Sequence, residues 1–240
     1  MLYNYHKRDT LKRKGGGLIM LYVFCALCIA LAAVFLYRES EGRYVSAVIL
    51  KGLASLCFVM IGILCSPATK TAKLIVCGLI IGCIADVLLN LRMVFSEKGQ
   101  IIFLVGILVF LTGHIMYLAA VMEMSANLPL CIAAGIVLTV LLMAWIFKRI
   151  TAKPAFKVFG VVYIGAIMLL NCVAFGNLIE SPSPFTAMFA VGAALFLISD
   201  IVLILNTFGG EFRQSLRNTN ISFYYAGQLM IAFSLLFLNR

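Results

Sequence analysis

Four ionisable side chains stand out in this 240-residue chain because of where they fall. Asp86, Asp200, Lys51 and His114 lie inside long apolar stretches, where a charge is expensive and marks a candidate functional site. Around them lie Asn90, Tyr117, Tyr163, Asn171, Ser199, Asn206, Tyr224, Tyr225 and Gln228. Two carboxyl groups in a water-poor setting can be held in opposite protonation states, one a proton donor and the other an anion. Metal chemistry is not expected. The chain has two histidines, and His6 belongs to the polar N-terminal tail. One buried histidine cannot assemble the three-ligand set of a catalytic zinc.

The elements that must position these groups follow from composition. Hydrophobic residues make up 64% of the chain, charged residues only 12%, and the mean hydropathy is +1.11. A soluble domain carries roughly 25% charged residues, so the chain is expected in a membrane. The formal net charge of +10 would point to nucleic acid in a soluble protein. Here the positives cluster at the ends of apolar runs, as membrane insertion requires, and nucleic-acid binding is excluded. Of the eight cysteines, Cys25, Cys28, Cys57, Cys77, Cys83, Cys131 and Cys172 sit within apolar runs and read as small hydrophobes.

A bilayer core takes about 20 apolar residues per helix. Eight such runs are present, roughly 18–37, 44–64, 72–91, 101–122, 128–147, 157–178, 184–205 and 222–238. The expectation is an all-α polytopic bundle, with a basic tail at 1–17 and one transmembrane domain at 18–240. The longest connection is the polar segment 206–221. Five Lys/Arg in the tail favour a cytoplasmic N-terminus, and eight spans return the C-terminus to that side, in a plasma or cytoplasmic membrane. Lys/Arg number eight on the N-terminal side and ten on the other, so the loops add nothing to that assignment.

Spans three and seven run in the same direction, with an aspartate towards the end of each. Spans two, six and eight run the opposite way and carry Lys51, Tyr163, Tyr224, Tyr225 and Gln228 near their starts. All of these fall in one leaflet, with His114 nearer the midplane, as a single polar pocket opening from one face requires. An internal repeat is also suggested. Asp86 and Asp200 are 114 residues apart, and so are His114 and Gln228. A four-plus-four parallel repeat would bring the acids to equivalent positions about a shared centre.

At this set of residues the chain resembles the YhhN-like, or lysoplasmalogenase, family of multispan membrane hydrolases. Four pieces carry the resemblance: Lys51 at the start of the second span, Gly82-Cys83-Ile84-Ala85-Asp86-Val87-Leu88-Leu89 in the third, and Phe103, Gly106, Phe110, His114 and Tyr117 in the fourth. The last is Phe196-Leu197-Ile198-Ser199-Asp200 followed by Tyr225-Ala226-Gly227-Gln228-Leu229. The similarity runs from about residue 44 to the end, and its order and spacing are more specific than any one motif. Two positions depart from the family pattern. Ala85 stands for a glycine before the first aspartate, and Gly52 for a proline after Lys51.

The resemblance implies hydrolysis of the vinyl ether bond of lysoplasmalogens, giving a fatty aldehyde and a glycerophospho-base. Asp86 and Asp200 would be the acid/base pair. Lys51 would pair with a carboxylate or the substrate phosphate. His114, Tyr225 and Gln228 would position water and the glycerol backbone, and Asn90, Tyr117, Tyr163 and Tyr224 complete the candidate substrate contacts. The implied partners are a lysophospholipid, water and membrane lipids, with no cofactor.

Plainer readings apply to the same residues. A membrane aspartate can be structural, Lys51 can snorkel to the interface, and Tyr224 or Tyr225 can anchor in an aromatic belt. Gln228 and Asn171 can bond across helices. Asn90 and Asn206 read first as helix-end polarity. An aspartyl intramembrane protease also uses two membrane acids, but the Gly-x-Gly-Asp segment of its second acid is absent. A small-solute or proton-coupled transporter is the competing function.

Overall fold

The computed structural model describes residues 2–238, with side chains from residue 17 onward. The side chains of most of the basic tail, on which the orientation expectation rests, and Arg240 lie outside the described residues. Eight long helices follow in order: α1 (Leu2–Ser40), α2 (Tyr44–Cys65), α3 (Lys70–Val94), α4 (Gly99–Met122), α5 (Leu128–Phe147), α6 (Pro154–Glu180), α7 (Pro184–Phe208) and α8 (Gln214–Ser234). Each holds a segment long and apolar enough to cross a bilayer, and there are no strands among the described residues. The protein is an integral, multi-pass, all-α membrane protein.

Local sequence sets the helix ends. The α1–α2 turn needs Gly42, whose φ of 74° is left-handed backbone. Thr69 caps α3 by accepting from the Ala72 amide. A reciprocal Ser183–Thr186 box opens α7, with Pro184 in its first turn. Outward faces are apolar. On α5, Ile136, Val140 and Leu141 are each more than 60% exposed, as a lipid-facing helix requires.

Seven of the eight expected spans coincide with the membrane-crossing segments of the helices to within a few residues, the first with Gly17–Ser40 of α1, which itself starts at Leu2. The eighth does not. The polar segment 206–221 was expected to connect spans, but α7 continues to Phe208 and α8 begins at Gln214. The first turns of α8 escape a hydropathy search because their polar residues face inward, with Arg217 and Asn220 both buried. Asn220 Nδ2 donates to the Ser199 carbonyl on α7, at 2.9 Å, and Ser199 Oγ donates to the Asn220 carbonyl, at 3.0 Å.

The arrangement follows the 114-residue offset. α3 packs on α4 as α7 packs on α8, and α4 packs on α6 as α8 packs on α2. The close approaches are glycine pairs at equivalent positions. A Cβ on Gly113 would meet the Gly78 carbonyl at 3.2 Å, and a Cβ on Gly227 would meet the Gly192 carbonyl at 2.8 Å. Small residues let helix backbones come together where lipid supplies no hydrophobic drive. The repeat places Asp86 and Asp200 at the same depth, each eight residues before the end of its helix, about 12 Å of rise.

Gly227→Ala tests this packing. Alanine should gain helix propensity of about 1 kcal/mol, yet the clash with backbone outweighs it, and overpacking costs about 1–3 kcal/mol. We expect a lower melting temperature in detergent, with Gly210→Ala, where a Cβ meets nothing within 4 Å, as the neutral control. A higher melting temperature for Gly227→Ala would refute the close approach.

Candidate active site

Asp86, on α3, is ringed by donors from two other helices, α2 and α8. Lys51 Nζ of α2 lies 3.0 Å from Oδ1. Ser55 Oγ, one turn further along α2, donates to Oδ2 at 2.6 Å, and Tyr224 OH of α8 donates to the same oxygen at 2.5 Å. Behind Tyr224 runs a relay. Tyr117 OH donates to Gln228 Oε1 at 2.8 Å, and Gln228 Nε2 donates to Tyr224 OH at 3.4 Å. Gly82 makes room for it, since a Cβ there would lie 3.2 Å from Gln228 Nε2. Tyr225 OH donates to the Lys51 carbonyl at 3.2 Å and lies 3.3 Å from Ser55 Oγ. An ionised carboxylate is acceptor-only, and these surroundings match one.

Asp200 is set differently. Tyr163 OH of α6 donates to its Oδ2 at 2.7 Å, and this is its one hydrogen-bond partner among the described residues. The contrast has a visible cause in the repeat. The counterpart of Tyr224, offset by 114 residues, is Phe110, which has no hydroxyl. Phe110, Phe196 and Tyr224 pack together with ring centroids 5.3–5.8 Å apart. Equivalent backbone thus presents two carboxyls with unequal partners.

Both carboxyls face one small inner cavity of about 40 Å³, shared with Lys51, Asn90, Tyr163 and Tyr224. It adjoins two others. One, of about 50 Å³, is almost wholly apolar and runs from Asp200 and Tyr163 between α4, α5, α6 and α7 to Phe156 and Phe208. The second is a polar vestibule of about 320 Å³ lined by Glu39, Asn90, Arg92, Asn206, Arg217 and Asn220. The arrangement joins a greasy slot, a two-carboxylate centre and a polar mouth.

The candidates separate into two groups. Asp86, Asp200, Lys51, Asn90, Tyr163 and Tyr224 line the inner cavity. His114, Tyr117, Tyr225 and Gln228 line none of the three and stand behind the carboxyls as supports. His114 is 1% exposed. Its Nδ1 lies 2.9 Å from the Phe110 carbonyl, its ring packs on Phe196 at 4.5 Å, and its Nε2 has no partner among the described residues. Asn90 is not helix-end polarity: it is 5% exposed and faces two cavities. Asn206 is buried too and lines the vestibule, but it also closes the helix end, its Oδ1 accepting from the Arg213 amide. Lys51 does not snorkel, being 4% exposed and paired.

Sequence reasoning missed Ser55, Glu39, Arg92 and Arg217. Ser55 had a signal, lying four residues and one turn from Lys51. Arg217 precedes Tyr224 by two turns on one helical face, a signal visible only once α8 is extended back to Gln214.

The model of the YhhN family matches residues 22–235, nearly the whole chain. The chain belongs to the YhhN family. No solved structure matches it. The match takes in both carboxyls, the relay behind Asp86 and the vestibule. The chain is consistent with a membrane hydrolase, in line with the resemblance carried by its motifs.

Breaking the ion pair from the lysine side tests how far the site holds the fold. Removing one partner of a buried pair costs about 3–5 kcal/mol, so Lys51→Met should sharply lower the melting temperature. The double variant Lys51→Met/Asp86→Leu should recover much of that loss. Equal melting of wild type and Lys51→Met would show that the pair is not buried as described.

Proposed function

We propose that this YhhN-family protein hydrolyses the vinyl ether bond of lysoplasmalogens, releasing a fatty aldehyde and a glycerophospho-base. The observation that carries the reading is the pair of carboxyls facing one cavity with unequal partners, between an apolar slot and a polar vestibule. An amphipathic substrate with its reactive bond between tail and headgroup suits that sequence of surroundings.

In this mechanism Asp200 is the acid. With one donor on Oδ2, its other oxygen is free to carry the proton and face the slot. Proton transfer to the alkenyl carbon remote from oxygen gives an oxocarbenium ion. Asp86, held as an anion by Lys51, Ser55 and Tyr224, stabilises that cation. Water attacks the carbon bonded to oxygen and gives its proton to the Asp200 carboxylate, restoring the acid. The hemiacetal then collapses to aldehyde and glycerol hydroxyl, with one water consumed. The inner cavity is large enough for that water. Tyr163 orients Asp200, and the Tyr117–Gln228–Tyr224 relay orients Asp86.

A proton-coupled transporter is the second reading. Transporter sites are typically built on interrupted helices, whereas α2, α3 and α7 run unbroken past Lys51, Asp86 and Asp200. Assay of purified protein in detergent separates the two, because transport needs compartments and aldehyde release does not.

Asp200→Asn is the sharpest variant, since it breaks no ion pair. Positioned proton transfer contributes about 10²–10⁴-fold, and aldehyde release from lysoplasmalogen should fall by that order with melting little changed. Tyr224→Phe should lower turnover more modestly by loosening Asp86. Full turnover in both Asp200→Asn and Asp86→Asn, or cleavage of an ester lysophospholipid but not the vinyl ether, would end this proposal.

A further inference from the structure

The vestibule holds a set of groups that the reaction leaves unused. Asn90 follows Asp86 by four residues, on the same face of α3 and about 6 Å of rise towards the surface. Arg217 Nη2 points at Asn90 Oδ1 at 3.4 Å, which fixes the amide: a flipped amide would set donor against donor. Asn90 Nδ2 is left as a buried donor with no partner among the described residues, in a side chain 5% exposed that lines the vestibule and the inner cavity. A buried unmatched donor is costly unless something else fills it.

The charges beside it are uneven. Arg217 is used up: its Nε and Nη2 each donate to the Glu39 carboxylate at 2.8 Å, and its Nη1 donates to Asn220 Oδ1 at 3.2 Å. Arg92 forms no ion pair among the described residues. Its guanidinium rests over the Phe103 ring, 4.4 Å from the centroid, where three nitrogens stay available. Glu39, Arg92 and Arg217 are the ionised groups lining the vestibule and sum to one positive charge, carried by Arg92.

We propose that Arg92 and Asn90 Nδ2 form the subsite for the phosphodiester of the substrate headgroup, with the Glu39–Arg217 pair holding the amide in its donating orientation. This rests on the lysophospholipid reading of the site. It also moves phosphate recognition away from Lys51, whose ammonium is taken by Asp86. The rise from Asp86 to Asn90 is comparable to the reach from ether oxygen to phosphorus along an extended glycerol. A phosphodiester oxygen would supply the acceptor that Nδ2 lacks, and its charge would balance Arg92.

The test is equilibrium binding to the full chain in detergent, with three probes. The first is a non-cleavable 1-alkyl lysophosphatidylethanolamine, the second the matching 1-alkyl glycerol without phosphate, and the third inorganic phosphate as competitor. Arg92→Gln should weaken the lysophospholipid about tenfold, the scale of one charge-assisted hydrogen bond, and leave the alkyl glycerol unchanged. Asn90→Asp, nearly isosteric but acceptor-only, should do the same and guards against a folding artefact in either variant. Equal loss for both lipids, or loss for neither, overturns the subsite. Displacement of the lysophospholipid by millimolar inorganic phosphate identifies a free-anion site and overturns the headgroup assignment. Aldehyde release is scored separately. Phosphate-selective binding without aldehyde would sustain the subsite and remove the vinyl ether reading, whereas aldehyde release indifferent to Arg92 and phosphate would do the reverse.

Discussion

Lys51 Nζ sits 3.0 Å from Asp86 Oδ1, with both side chains almost inaccessible. Desolvating either ion alone costs several kcal/mol, and their attraction offsets this only with good geometry and further hydrogen bonds. Here those bonds come from Ser55 on α2 and Tyr224 on α8, so one carboxylate fixes the meeting of three helices. The demand propagates outward. Tyr224 needs the Gln228 amide, Gln228 accepts from Tyr117, and the room for Gln228 is kept by Gly82. Along this relay each buried polar group recruits the next.

Equivalently placed contacts in the two halves supply the frame, and side chains break their symmetry. Matching glycine pairs seat α3 on α4 and α7 on α8 alike, and the two aspartates arrive at equal depth. Had the surroundings matched as well, the two carboxyls would have had the same partners. The exchange of a tyrosine for a phenylalanine at equivalent positions 224 and 110, with Lys51 and Ser55 beside only one acid, makes them chemically distinct. Acid and base roles are assigned to pairs of titratable groups by such differences in environment.

The three cavities meet where this asymmetry is greatest. Asp200 borders the apolar slot and the inner cavity, while Asn90 and Arg92 border the inner cavity and the vestibule. Polarity therefore rises steadily along the path, from aromatic rings at Phe103, Phe156 and Phe208 to the Glu39–Arg217 pair. Binding sites of this kind are mostly apolar, with a few placed polar groups that fix orientation.

The sequence by itself determined the membrane, the eight helices and the rare residues worth watching. Hydropathy and helix length are local properties, and so few charges fall in the spans that Asp86, Asp200, Lys51 and His114 identify themselves. The strand-free topology even placed most of them in one leaflet, since alternate helices run in opposite directions. What it could not settle was partnership. His114 and Asp200 look equally notable in the chain, yet one packs against Phe196 and the other opens on a cavity. Arg217 and Glu39 looked like loop charges, because hydropathy measures transfer to lipid and takes no account of a cation met by a carboxylate 178 residues away. Only tertiary packing brings such partners together, and it therefore decided which polar residues are structure and which face the cavities.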